Sequence, residues 1–319
     1  MKKMYTEMPN SIEMVEVSPR DGLQNEKALI STADKLLLIE RAIAAGSRRM
    51  EVTSFVNPRA VPQMADAEDV CAGLPERDDV TYIGLVMNQR GADRAIATGR
   101  IDQLGAVSVS TDTFAMANQG QTSEGSIDAA RDIIRAAQAA GLSGQATIAA
   151  SFGCPFEGEV PEERVVAMAR ALAEAGSAEI GLADTIGVGN PDHVSRLVTA
   201  VREAIGSIPV RVHFHNTRGT GLANVWAAIA AGAGVVDASI GGLGGCPFAP
   251  GAAGNVATED VTYMLERAGI STSLNLDLLI ETNHWLAPVM GKELPAMVGR
   301  SGGFPMPETE PDDEKRKTA

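Results

Sequence analysis

Short apolar runs recur along the chain, each followed by a longer stretch in which apolar and polar residues alternate with helical spacing. The runs are "IEMVEV" (12–17), "RRMEVT" (48–53), "VTYIGLV" (80–86), "QLGAVSVS" (103–110), "QATIAAS" (145–151), "EIGLAD" (179–184), "VRVHFH" (210–215) and "VVDASI" (235–240). Their length and composition are those of buried strands. Between them lie amphipathic segments such as "STADKLLLIERAIAAG" (31–46), "SIDAARDIIRAAQAAG" (126–141) and "PEERVVAMARALAEAG" (161–176). Each of these three ends in glycine, the residue that most readily adopts the left-handed conformation that stops a helix. Eight alternating strand and helix units predict an α/β protein with a closed parallel (β/α)8 TIM barrel. The competing open doubly wound sheet is disfavoured because no G-x-G-x-x-G turn follows the first strand. Additional helices are expected over about 256–300, which makes 1–300 one catalytic domain. The end of the chain, "PMPETEPDDEKRKTA", is proline-rich and charged, and 301–319 are expected to form a disordered tail.

Composition narrows the function classes. The chain has 319 residues, 45% hydrophobic and 21% charged, enough apolar material for a sizeable core. A formal net charge of -14 and 4% aromatic residues leave no basic, aromatic-rich surface, so nucleic acid is not an expected partner. No apolar run reaches membrane-spanning length, and the N-terminus has neither a signal core nor an Arg-rich transit pattern. Cys71, Cys154 and Cys246 lack Cys-x-x-Cys spacing, so free thiols in a cytoplasmic protein are expected.

The barrel reading locates the chemistry, because active sites of this fold sit at the C-terminal ends of the strands. The first strand leads into Arg20 and Asp21, the second holds Glu51 and leads to Ser54, and the sixth ends at Asp184 and Thr185. The seventh ends in "HFH", whose period of two puts His213 and His215 on one face and Val212 and Phe214 on the other. Two imidazoles at a strand end with an aspartate from the first strand suit a divalent metal: Mg2+ or Mn2+ with open positions, or Zn2+. A carboxylate inside a barrel needs a partner, and Arg20 is the candidate for Glu51. Taken singly, Arg20–Asp21 could equally be a loop ion pair, and Asp184 a helix cap assisted by Thr185.

"GGCPFAPGAAGN" (244–255) is built almost wholly of small or rigid residues, with Cys246 near its start and Asn255 at its end. It lacks the Lys-Ser/Thr ending of a phosphate cradle. Its glycines suit a mobile arm over the barrel mouth, carrying a thiol. "GCPF" occurs twice, at 153–156 and 245–248, and the glycine-rich surroundings favour Cys246 over Cys154 as the reactive thiol.

Six motifs carry a resemblance: "VEVSPRDGLQNEK", "EVTSFVNPRAVPQM", "SFGCPFEG", "LADTIGVGNP", "VHFHNTRG" and "GGLGGCPFAPGAAGNVATED". Over about Ile12–Ile280 the chain resembles the 3-hydroxy-3-methylglutaryl-CoA lyases, metal-dependent TIM-barrel enzymes. The resemblance implies that Asp21, His213, His215 and Asn255 hold the cation, Arg20 neutralises a developing enolate, and Cys246 is the acid–base thiol. It implies Glu51, Asp184 and Glu259 as supporting carboxylates and Gln24, Ser54 and Thr185 as substrate contacts. His213 or Asp184 is the candidate base for a tertiary hydroxyl proton. An acyl-CoA substrate, leucine degradation and a homodimer are also implied. One departure stands out: after His215 the chain reads Asn216-Thr217-Arg218-Gly219, where such lyases commonly read Asp-Thr-Tyr-Gly. It leaves citramalyl-CoA or a longer-chain analogue as alternative substrates. A condensing synthase and a catalytically silent metal- or CoA-binding barrel are the remaining alternatives.

Overall fold

The computed structural model describes residues 8–245 and 254–305. Eight parallel strands close into one barrel in the order β1 to β8, with β1 paired to β8 as well as to β2. They are β1 (Glu13–Glu16), β2 (Arg49–Ser54), β3 (Thr81–Val86), β4 (Gln103–Val109), β5 (Ser143–Ala149), β6 (Ile180–Asp184), β7 (Val210–Phe214) and β8 (Val235–Ala238). The helices are α1 (Thr32–Ala44), α2 (Ala67–Gly73), α3 (Gln89–Ala97), α4 (Asp112–Gln119), α5 (Ser123–Ala139), α6 (Glu162–Glu174), α7 (Pro191–Ile205) and α8 (Gly221–Ala230), then α9 (Thr258–Arg267), α10 (Leu276–Met290) and α11 (Met297–Ser301). The barrel and the added C-terminal helices agree with the sequence reading. Among the described residues no helix is long and apolar enough to cross a membrane.

Local chemistry sets the helix ends. Ser31 caps α1 by accepting from the Asp34 backbone N–H, and Asn190 caps α7 by accepting from those of Asp192 and His193. Gly46, Gly141 and Gly176 all have left-handed φ (106°, 76° and 89°), as their place after helical segments demands.

The main apolar core lies between the strands and the ring of helices, contributed by residues such as Met50, Leu104, Ile148, Leu182 and Phe214. Inside the barrel, Val15, Val17, Ile83 and Val235 form a small separate cluster. Much of the remaining interior is ionic. Arg49 pairs with Glu179 at 3.0 Å, the Arg211 Nε lies 2.8 Å from a Glu179 oxygen, and Arg211 donates to both Asp237 oxygens at 2.9 Å. Barrel interiors are more often filled by branched aliphatic layers. Here charged residues extend from the N-terminal end of β2 to the mouth.

Candidate active site

Arg20 and Asp21 lie on a π-helical turn, Ser18–Gly22, directly after β1. The Arg20 Nε donates to a Glu51 carboxylate oxygen at 2.5 Å, and its Nη1 lies 2.6 Å from Asp21 Oδ1. The barrel carboxylate Glu51 thus has the partner expected of it. Between Glu51 and Thr53 the register of β2 against β3 shifts, a local irregularity of the kind that re-aims side chains near sites.

His213 and His215 face inward together, their Nε2 atoms 3.2 Å apart. Asp21 Oδ2 lies 3.8 Å from the first and 4.0 Å from the second. One potential ligand atom from each of the three falls within 4.8 Å of the others. Asn255 joins from the far side of the loop, forming an isolated bridge with His215 and donating its amide to Asp21 Oδ2 at 2.7 Å. Its buried Oδ1 and the buried Nδ1 of His215 have no hydrogen-bond partner among the described residues.

Electrostatics suit cation binding. Burial alone would raise Asp21, but the Arg20 guanidinium and the two imidazoles outweigh it and hold the carboxyl well below its usual range. Burial, helped by His213, lowers His215 to about 4, so its ring is neutral near pH 7. Burial also disfavours charge on His213, yet its hydrogen bond to Asp237 reverses the balance and its pKa is raised. An anionic carboxylate, imidazole nitrogens and an unpartnered amide oxygen are a donor set that fits a divalent cation.

A cavity of about 170 Å3 opens beside this cluster. Its wall is lined by Arg20, Asp21, Glu51, Arg211, His213, His215 and Asp237 together with the apolar Leu85, Met87, Val107, Phe114, Ala149 and Ala183. Gln24 and Thr185 also reach it. Ser54 is buried behind Gln24, donating to the Gln24 side-chain oxygen at 3.0 Å.

Two candidate carboxylates serve backbone instead of the cavity. Asp184 sits between Ala183 and Thr185, which face inward, and is not part of the wall. Its oxygens accept from the Val188 and Gly189 N–H groups at 2.9 Å, so it shapes the loop after β6. The helix that follows, α7, is capped by Asn190. Glu259 accepts from the Gly241 N–H at 3.0 Å and from the Asn283 amide at 2.8 Å, tying the turn after β8 to α10.

The departure at 216–218 also turns to backbone. Asn216 accepts from the Gly221 N–H at the start of α8, and Arg218 donates to the Ile186 and Gly187 carbonyls at 2.9 Å. Neither lines the cavity.

Cys246 falls outside the described residues. At the near edge of its loop, Gly244 has φ 107°, and a Cβ there would lie 2.5 Å from the Asn255 amide nitrogen. Only glycine lets the chain pass this close to Asn255 and Asp21.

Two charged residues of the site were missed in the sequence, Arg211 and Asp237. Asp237 accepts from His213 Nδ1 at 3.1 Å while paired with Arg211. Strand alternation carried a signal for the first, since Arg211 is two residues before His213 in "VRVHFH".

The HMGL-like family matches residues 11–286. The chain belongs to that family. It is 41% identical over 288 residues to the hydroxymethylglutaryl-CoA lyase YngG of Bacillus subtilis, covering 90% of this chain and 96% of that one. It is also 41% identical over 303 residues to the (R)-citramalyl-CoA lyase of Chloroflexus aurantiacus, covering 92% and 95%. A solved HMG-CoA lyase of Acinetobacter baumannii, in complex with coenzyme A and 3-methylmalate, has a TM-score of 0.88 at 39% identity, covering 93% of this chain and 98% of that one. The family resemblance read from the six motifs is borne out, with this HMGL-like match spanning most of the barrel.

Proposed function

We propose that the protein is a carbon–carbon lyase that splits 3-hydroxy-3-methylglutaryl-CoA into acetyl-CoA and acetoacetate with a divalent cation. The observation that carries this reading is the convergence of Asp21, His213 and His215 next to the Arg20 guanidinium in one cavity. Asp21, His213, His215 and the Oδ1 of Asn255 would hold the cation. Bound there, a divalent cation supplies Lewis acidity that lowers the pKa of a substrate hydroxyl. The mixed oxygen and nitrogen donors favour Mg2+ or Mn2+, and the imidazoles are compatible with Zn2+.

The remaining roles fall to the chain's own side chains. Arg20, fixed by Glu51 and Asp21, offers a cation to the thioester enolate as it forms, where a preorganised charge acts without reorganisation. Of the two candidate bases only His213 reaches the cavity. Asp237 occupies its Nδ1, so Nε2 is the nitrogen available for a ligand or proton role, and it cannot serve both at once. Gln24 and Thr185 contact substrate, and Ser54 acts by orienting Gln24. Glu51 positions Arg20, while Asp184 and Glu259 position the loops after β6 and β8. Cys246 delivers the final proton to carbon, a task for a thiol that is mostly protonated at neutral pH.

Citramalyl-CoA was the alternative raised by the 216–218 departure. Asn216 and Arg218 bind backbone away from the cavity wall, which removes that reason for preferring it. The same functional reading includes leucine degradation, a homodimer and a cytoplasmic setting. The test is a substrate panel with Mg2+ and Mn2+. Acetoacetate released from 3-hydroxy-3-methylglutaryl-CoA supports the reading, and turnover of citramalyl-CoA alone replaces it.

A further inference from the structure

Successive side chains of β5 alternate between the barrel interior and the helical ring. Thr147 and Ala149 line the catalytic cavity, so Gln145, two residues earlier, points into the barrel beneath it. Gln145 is fully buried and is not part of the cavity wall. Neither its Nε2 nor its Oε1 has a hydrogen-bond partner among the described residues. Buried amides are nearly always partnered, because the hydrogen bonds they give up to water on folding have to be replaced.

In register beside Gln145 on β4 stands Gly105. A Cβ there would lie 3.4 Å from Glu51 Oε1, 3.4 Å from Ile83 Cγ2 and 3.7 Å from Gln145 Nε2. One point beside the glycine backbone thus faces a carboxylate oxygen and an amide, with Ile83 closing a third side. The oxygen is the one that Arg20 does not use, since both contacts of its guanidinium are with Glu51 Oε2. Glycine inside a strand often marks such a close approach to the backbone. A water can donate to the carboxylate while accepting from an amide N–H or donating to an amide oxygen. Either orientation of Gln145 therefore suits one. A buried water takes two to four polar partners, and Gln145 and Glu51 supply two.

We infer that this point binds one ordered water, which bridges Gln145 to Glu51 Oε1, and that Gln145 is thereby a positioning residue for Arg20. Glu51 is then held at both oxygens, by the guanidinium at one and by the water at the other. The direction of Arg20 is fixed from beneath, by a residue that never meets substrate. The value of that direction rests on the lyase reading above; the water site does not.

The test joins crystal structures of the full chain, at a resolution that shows ordered water, to kinetics. Structures are compared for wild type and Gly105→Ala, and kinetics for Gly105→Ala, Gln145→Leu and the double variant. Gly105→Ala puts a methyl where the water would sit, at ordinary contact distances and with no left-handed φ to strain it. Wild type should show a water within hydrogen-bond reach of Gln145 and Glu51 Oε1, and Gly105→Ala should lack it. Each single variant should lower kcat about tenfold, the scale of one lost hydrogen bond to a charged group. KM and Mn2+ affinity should stay within about twofold of wild type, a split that general loss of structure would not give. The double variant should fall no more than about twofold below the slower single, because both changes remove the same water. A wild-type structure without that water overturns the site. Unchanged kcat in both single variants, or losses that multiply to about a hundredfold in the double variant, overturns the positioning role. If no acyl-CoA offered is cleaved, the two structures still decide the water site, and it is the lyase reading that fails.

Discussion

Asp237 accepts the Nδ1–H of His213 across 3.1 Å, which turns the opposite nitrogen of the ring toward Asp21 and His215. A carboxylate behind a metal-facing imidazole fixes both tautomer and orientation. Asp237→Asn should therefore weaken Mn2+ binding by about 10–100-fold. Calorimetric metal titration checks it, and unchanged affinity would mean that β7 alone orients the ring.

Arg20 lies next to the proposed ligand Asp21, so its positive charge opposes cation binding while favouring an enolate. Arg20→Gln should lower kcat by about 10²–10³-fold, as loss of a preorganised charge at an oxyanion does. Mn2+ should bind the variant as tightly as wild type or more so. A matching loss of metal affinity would make Arg20 a scaffold for the ligand set.

The role given to Cys246 predicts a separation of the same two readouts. Cys246→Ser should cut turnover by about 10²–10⁴-fold, the range of a lost acid–base group. Metal binding should persist, since Asp21, His213 and His215 come together without it. Wild-type turnover in this variant would refute the role.

Glu259 gives a pH dependence of stability. Burial raises its carboxyl from 4.5 to about 8, so between these values the folded chain keeps a proton that the unfolded chain has lost. Its contribution is fully present below pH 4.5, falls as the pH rises toward 8, and does not recover above it. Glu259→Gln removes the titration. Urea unfolding across that range should find wild type losing stability relative to the variant, by up to about 1.4 kcal/mol per pH unit. A constant difference would mean that Glu259 is ionised in its buried site.

Arg218 holds the Ile186 and Gly187 carbonyls and stays clear of the cavity wall. Arg218→Tyr, which restores the commoner family residue, should leave the ratio of kcat/KM for 3-hydroxy-3-methylglutaryl-CoA and citramalyl-CoA unchanged within about twofold. That is the scale of an exposed substitution. A tenfold change would place Arg218 in the substrate path.

The barrel was legible because a buried parallel strand announces itself as an apolar run, and the eight strands lie within about two residues of those runs. The start of β5 was the least visible, since Ser143-Gly144 offers no apolar side chain to mark it. His213 and His215 were legible through the period of two in "HFH". Asp184 and Glu259 were named as supporting carboxylates through the family resemblance, but residue type cannot say whether an oxygen faces a cavity or a backbone amide. Asp237 was hidden in "VVDASI", where one acid among small residues has no periodic signal. Its importance comes from neighbours on another strand.

The ion pairs under the mouth give the barrel a polarity along its axis. From Arg49 through Glu179, Arg211 and Asp237 to His213, each side chain is steadied by one of opposite charge. Transplanting only the rim residues onto an aliphatic-filled barrel would strand His213 without the chain of counterions beneath it. The smallest transferable catalytic unit is therefore a column as deep as the barrel.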